Sequence, residues 1–161
     1  FTTHTTIPIA QLPRELEGLK IVQISDLHYS EATPQHFLGR ISKRVLALKP
    51  DLIVFTGDFL SYSTLPEAMR LKAFLQTLSA PLGTFAVYGN HDYSEYVSLG
   101  SDGRFRRVQS ALPAIMRGLG RLFSVSETPN EGAIVRAPIE ESIALKTLLQ
   151  ESGIRLLHNE T

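Results

Sequence analysis

The sequence predicts an α/β fold built on a parallel sheet. Three features predict it: apolar runs that read as buried strands, helical spacing of apolar residues between those runs, and turn residues at each junction. The first strand is expected over Leu19–Ser25 (LKIVQIS) and the second over Asp51–Asp58 (DLIVFTGD), which is rich in Ile, Val and Phe. The third is expected over Gly83–Asn90 (GTFAVYGN). Between the first two, Thr33 is placed to cap a helix and Pro34 suits its first turn. Phe37, Ile41, Val45 and Leu48 recur at helical spacing, and Pro50 ends the helix. Thr64 and Pro66 open a second helix with Ala68, Leu71, Leu75 and Leu78 along one face. Helical crossovers of this length imply parallel neighbours and right-handed connections. Further on, Pro138–Gly153 reads as a helix with a glycine stop, and Ile154–Leu157 as a fourth strand.

Composition narrows the chemistry. The chain has 161 residues, enough for one ordinary domain with its own core. It has no cysteine, which excludes disulfides and thiolate metal sites, so any metal must be held by oxygen and imidazole. The 16 basic and 16 acidic residues cancel, and no global field favours nucleic acid, so no nucleic-acid partner is expected. No apolar run reaches the roughly 20 residues that span a bilayer. The chain starts at Phe1 rather than Met and stops at Thr161 just after an apolar run. The expectation is an N-terminal portion of one domain, with an upstream targeting or anchoring segment removed and the protein continuing past Thr161.

Parallel strands bring all their C-terminal ends to one edge, where such sheets bind ligands. The residues that follow each strand are chemical ones. The first strand ends in SDLH, with Asp26 and His28; the second in TGDF, with Asp58; the third in GNHD, with Asn90, His91 and Asp92. Each has an ordinary turn reading of its own, Asp58 after Gly57 and Asn90 after Gly89 above all. Together they deliver oxygen and nitrogen donors from three distant segments to one edge. His4, in a Thr-rich end, and His36, in the first turn of a helix, read as surface residues.

These three blocks, across Lys20 to Asp92, resemble the motifs D-x-H, G-D and G-N-H-D/E of the calcineurin-like metallophosphoesterase superfamily. The wording GLKIVQISDLH with PDLIVFTGD is most similar to its chlamydial-type UDP-2,3-diacylglucosamine pyrophosphatase branch. The resemblance implies an αββα two-sheet sandwich, of which this chain holds the N-terminal part. It implies two divalent metal ions, with Asp26 and His28 on the first, Asp58 bridging and Asn90 on the second. Mixed imidazole and carboxylate donors suit Mn, Fe or Zn better than Ca or Mg alone. His91 would be the proton donor to the leaving oxygen and Asp92 would bond its far nitrogen and orient the ring. The implied reaction is hydrolysis of a phosphate ester or pyrophosphate, with UDP-2,3-diacylglucosamine cleaved to lipid X and UMP in lipid A synthesis as the favoured case. A general phosphodiesterase or phosphomonoesterase and a non-catalytic scaffold of the same fold are the alternatives. The chain departs from the family downstream: where relatives add a late G-H-x-H block, it offers only His158, read as a strand or turn residue.

An insert or cap is expected over 97–137. Within it, Arg104–Val125 mixes Arg104, Arg106, Arg107, Arg117 and Arg121 with Leu, Ile, Met and Phe, and is expected to form two short helices or a helical hairpin, interrupted at Pro113, Gly118 and Gly120. Ser126–Ala133 reads as a polar loop. A basic, apolar cap beside the active edge suits an acylated, phosphate-bearing substrate or an anionic membrane surface. The expected location is the cytoplasmic face of the bacterial inner membrane, peripheral or anchored.

Overall fold

The computed structural model describes residues 2–61, 63–95, 97–99, 105–107 and 140–157. After an exposed N-terminal stretch and a short 3-10 turn at Arg14–Leu16 come strand β1 (Ile21–Ile24), helix α1 (Gln35–Ala47), strand β2 (Leu52–Phe55), helix α2 (Ala68–Gln76) and strand β3 (Thr84–Ala86). Strands β4 (Val97–Leu99) and β5 (Phe105–Arg107) follow, then helix α3 (Ile143–Glu151) and strand β6 (Arg155–Leu156). The main sheet runs β1-β2-β3-β6, and every pairing in it is parallel. This is the expected α/β architecture, each strand shorter than its apolar run.

Successive crossovers advance in one direction, so right-handed connections stack the helices side by side on one face. The packing agrees. The Ser42 and Thr77 hydroxyls meet at 2.8 Å between α1 and α2, and Lys72 Nζ lies 2.8 Å from Glu151 Oε2 between α2 and α3. Under them sit Ile53, Phe55 and Ala86 from the sheet and Leu38, Val45, Leu71, Phe74, Leu75, Leu145, Leu148 and Leu149 from the helices. The opposite face is more open, with Ile21 54% exposed. The second sheet of the expected sandwich is not among the described residues.

Several local expectations need correction. Helix α1 is entered through Pro34, without a side-chain cap; the Thr33 hydroxyl instead accepts from Ser30 N–H at 2.9 Å. The buried residues of α1 are Leu38 and Val45, while Phe37 is 38% exposed beneath the Arg40 guanidinium. Helix α2 starts after Glu67, not at Thr64, and Glu67 is left-handed with φ 43°. Helix α3 begins at Ile143, where the Ser142 hydroxyl accepts from Leu145 N–H, and it stops before Gly153, whose φ of 76° suits glycine.

The segment expected as an insert also differs at its start. Phe105–Arg107 is not helical; it pairs antiparallel with Val97–Leu99, Arg106 opposite Ser98 and Arg107 opposite Val97. Phe105 and Val97 are the β-favouring aromatic and branched residues that suit such a ribbon. Arg104, Arg117, Arg121, the Ser126–Ala133 stretch and His158 lie outside the described residues. The chain on either side of residues 95–139 meets at a neck. Tyr93 and Glu141 form an antiparallel bridge, and Ser94 N–H donates to Glu140 O at 3.0 Å. The Tyr88 and Tyr93 rings stack edge to face at its base, 5.5 Å apart.

Candidate metal centre

The strand register builds the site. Ile24 lies opposite Phe55, and Phe55 opposite Ala86, so three strands end level. Pairing then continues past the strands: Asp26 N–H donates to Gly57 O at 3.2 Å, and His28 N–H to Asp58 O at 2.9 Å. The D-x-H and G-D segments therefore lie side by side, and the G-N-H-D segment closes on them from β3.

Asp26, His28 and Asp58 all have positive φ, 55°, 42° and 56°. L-residues disfavour this region by about 1–2 kcal/mol each, and such strain collects where geometry serves function. The turn in the chain lets both Asp26 and His28, two residues apart, aim at one point. His28 Nε2 lies 3.6 Å from Asp26 Oδ1 and 3.8 Å from Asp58 Oδ2. The His28 and His91 rings meet edge to face at 4.8 Å. One donor atom each from His28, Asp58 and His91 falls within a 4.8 Å group, a spacing a single cation could span. Two imidazoles and a carboxylate form the donor set that divalent transition metals prefer, so these residues fit a metal ion. Asp26 adjoins this trio through His28, and the half-buried Asn90 precedes His91 in the same loop. His91, expected beside the metal rather than on it, thus stands as close to the donors as they do to one another.

Two glycines allow the close approach. A Cβ on Gly57 would lie 2.4 Å from Gly89 N and 2.6 Å from Gly89 Cα, and one on Gly89 would lie 2.1 Å from Asp58 Oδ1. Nothing but glycine lets these two loops touch. Gly57→Ala adds overpacking against backbone to the strain of a φ near +97°. It is expected to destabilise the domain by about 2–4 kcal/mol, read as an earlier urea midpoint. A midpoint equal to the parent's would contradict the contact.

Asp92 does not take the role expected of it. Its carboxylate is fully buried and faces main chain: Oδ1 accepts from Leu60 N–H at 3.1 Å and Oδ2 from Gly89 N–H at 2.9 Å. Burial pushes this carboxyl above the usual carboxylate range, while the two N–H donors pull it back. Asp92 therefore fastens the loop after β3 to the loop after β2. The His91 ring is oriented by another group. Its Nδ1 donates to Ser61 O at 2.6 Å, which assigns the neutral ring's proton to Nδ1 and turns Nε2 to the chemistry. His91 N–H also donates to Asp58 Oδ1 at 3.2 Å. Ser61 had no signal in the sequence, because a main-chain carbonyl carries none. Among the other expected residues, His4 and His36 are exposed as read, and Arg106 and Arg107 are consecutive on β5.

An α/β domain with imidazole and carboxylate donors converging at the C-terminal edge of a parallel sheet defines a metal-site class of protein. The family model for calcineurin-like phosphoesterases matches residues 19–148, and the chain belongs to that family. Among curated proteins it is 40% identical over 157 residues to a Chlamydia muridarum UDP-2,3-diacylglucosamine pyrophosphatase, LpxG, covering 94% of this chain and 48% of the relative. The Chlamydia trachomatis LpxG is 41% identical over 152 residues, covering 91% and 45%. An uncharacterized metallophosphoesterase of Bacillus subtilis, YkuE, is 38% identical over 96 residues, covering 59% and 34%. The chain spans about half the length of the two chlamydial relatives. No solved structure gives a significant match.

Proposed function

We propose that this domain carries metal-dependent hydrolysis of a phosphate ester or pyrophosphate, with UDP-2,3-diacylglucosamine as substrate and UMP and lipid X as products. The observation that carries the proposal is the convergence of His28, Asp58 and His91 at the strand edge. The near-complete coverage of this chain by two pyrophosphatases of that name supports the choice of substrate. Asp26, His28, Asp58 and Asn90 would hold two divalent ions of the Mn, Fe or Zn kind, Asp58 bridging because a carboxylate has two oxygens. Bound there, the ions would supply phosphoryl polarisation and a nucleophile from water near neutral pH.

The chain's own side chains do the rest. His91, held through Nδ1 by Ser61, presents Nε2 to the leaving oxygen; in the imidazolium form, with a second proton on Nε2, it donates that proton or stabilises the developing charge. A bond forms from water oxygen to phosphorus, the bridging P–O bond breaks, and the proton goes to the departing oxygen. Asp92 keeps the His91 loop seated on the β2 loop. Arg104, Arg106, Arg107, Arg117 and Arg121 would meet substrate phosphates or an anionic membrane surface, since a guanidinium fork matches phosphate oxygens. No helix among the described residues is long and apolar enough to cross a membrane. The proposed location is the cytoplasmic face of the bacterial inner membrane, held peripherally or by an anchor.

The test is competitive. The intact protein with Mn²⁺ is given UDP-2,3-diacylglucosamine beside a soluble diester, bis(4-nitrophenyl) phosphate. The expected result is release of UMP with the higher kcat/KM, lost in EDTA and restored by metal. A higher kcat/KM for the soluble diester would favour a general phosphodiesterase. No metal-dependent hydrolysis of either would favour a scaffold.

A further inference from the structure

We propose that Ser61 is a positioning residue that sets the two imidazoles of the centre against each other. Its hydroxyl donates to the His28 carbonyl at 2.6 Å, and its own carbonyl accepts from His91 Nδ1 at 2.6 Å. One residue thus holds His28 by its backbone and His91 by its ring. The inference rests on the reading of His28 and Asp58 as metal ligands.

His28 needs such a hold. Its φ of 42° lies in the left-handed region, which an L-residue leaves when nothing restrains it. Both of its backbone polar groups are tied to the segment after β2, the N–H to Asp58 O and the carbonyl to the Ser61 hydroxyl. The first tie is main chain to main chain and survives any side-chain change. The second depends on one hydroxyl. Ser61 is itself anchored, because its N–H donates to Tyr29 O at 3.1 Å and Tyr29 is bridged in parallel to the buried Leu60. Residues 28–29 and 60–61 therefore run as a short paired ribbon beyond the sheet, and the Ser61 hydroxyl is its link to the His28 peptide. Without it, the His28 carbonyl turns to water and the peptide swings. The Nε2 then leaves its place 3.8 Å from Asp58 Oδ2 and its edge contact with His91.

The test is Co²⁺ affinity by calorimetry on the intact protein, with a thermal melt of each metal-free variant. Loss of a bond that orients a metal ligand weakens binding by about 10–100-fold, and that is the change expected of Ser61→Ala, with its metal-free melt near the parent's. Ser61→Thr keeps the hydroxyl and is expected to bind as the parent does. Ser61→Cys, similar in volume but a poor donor, carries the alanine expectation should Ser61→Ala melt early. Parent-like affinity in a folded Ser61→Ala or Ser61→Cys overturns the inference alone. So does a Ser61→Thr that binds as weakly as alanine. A parent that binds no Co²⁺ overturns the reading of the centre and this inference with it.

Discussion

Asp58→Ala is expected to abolish metal binding at both ion positions, and hydrolysis with it. The Asp58 carboxylate has two jobs at once. Oδ2 lies 3.8 Å from His28 Nε2, while Oδ1 accepts the His91 N–H that seats the third loop. Alanine removes the carboxylate proposed to bridge the ions and releases that loop in one step. It also leaves an alanine at a φ of 56°, where the local hydrogen bonding that helps Asp tolerate left-handed backbone is gone. Asp58→Asn separates the effects, since the amide keeps the shape and one acceptor oxygen but not the charge. Metal analysis by mass spectrometry after dialysis is expected to find neither variant loaded. Full occupancy in Asp58→Asn would mean the charge is dispensable, and full occupancy in Asp58→Ala would remove Asp58 from the centre.

His91→Ala is expected to retain bound metal and lose turnover by roughly two to four orders of magnitude, the scale of a general acid. The geometry makes this a sharp test, because His91 stands among the donor atoms with His28 and Asp58. If it serves as proton donor, the deficit should shrink for nitrophenyl esters, whose leaving groups need little protonation. An equal deficit for good and poor leaving groups would point to orientation of the phosphoryl oxygens. Loss of metal in step with turnover would make His91 a ligand.

The strands were legible because a parallel strand buried among helices must be apolar along its length, and LIVF at β2 can be little else. The face of α1 was read correctly at Ile41 and Val45, which meet the core, and missed in the first turn. Periodicity gives the spacing of an apolar stripe, but its phase depends on how the helix meets its neighbours, and here Leu38 points inward and Phe37 lies under Arg40. That His28, Asp58 and His91 come together was legible, since turn chemistry does not ask for imidazole beside carboxylate at separate strand ends. Asp92 was misread through its adjacency to His91. Neighbours in a turn project differently, and this carboxylate found its donors on Leu60 and Gly89 instead. The strand at Phe105–Arg107 was hidden by its arginines, which are at home in helices and so masked the extended backbone.

The neck at Tyr93 and Glu141 bears on how such a domain can change over time. A polymer loop whose ends are already joined costs little more when lengthened, about 0.6 kcal/mol for each doubling. The bridge and the Ser94–Glu140 bond bring those ends together within the folded body. The closure entropy of the connection from Ser94 to Glu140 therefore changes little with its length, and the parallel sheet has strands on either side of the join. The arrangement sets two kinds of constraint side by side in one chain: strand-end loops that touch too closely to vary, and a join whose closure is nearly indifferent to the length of chain between its ends.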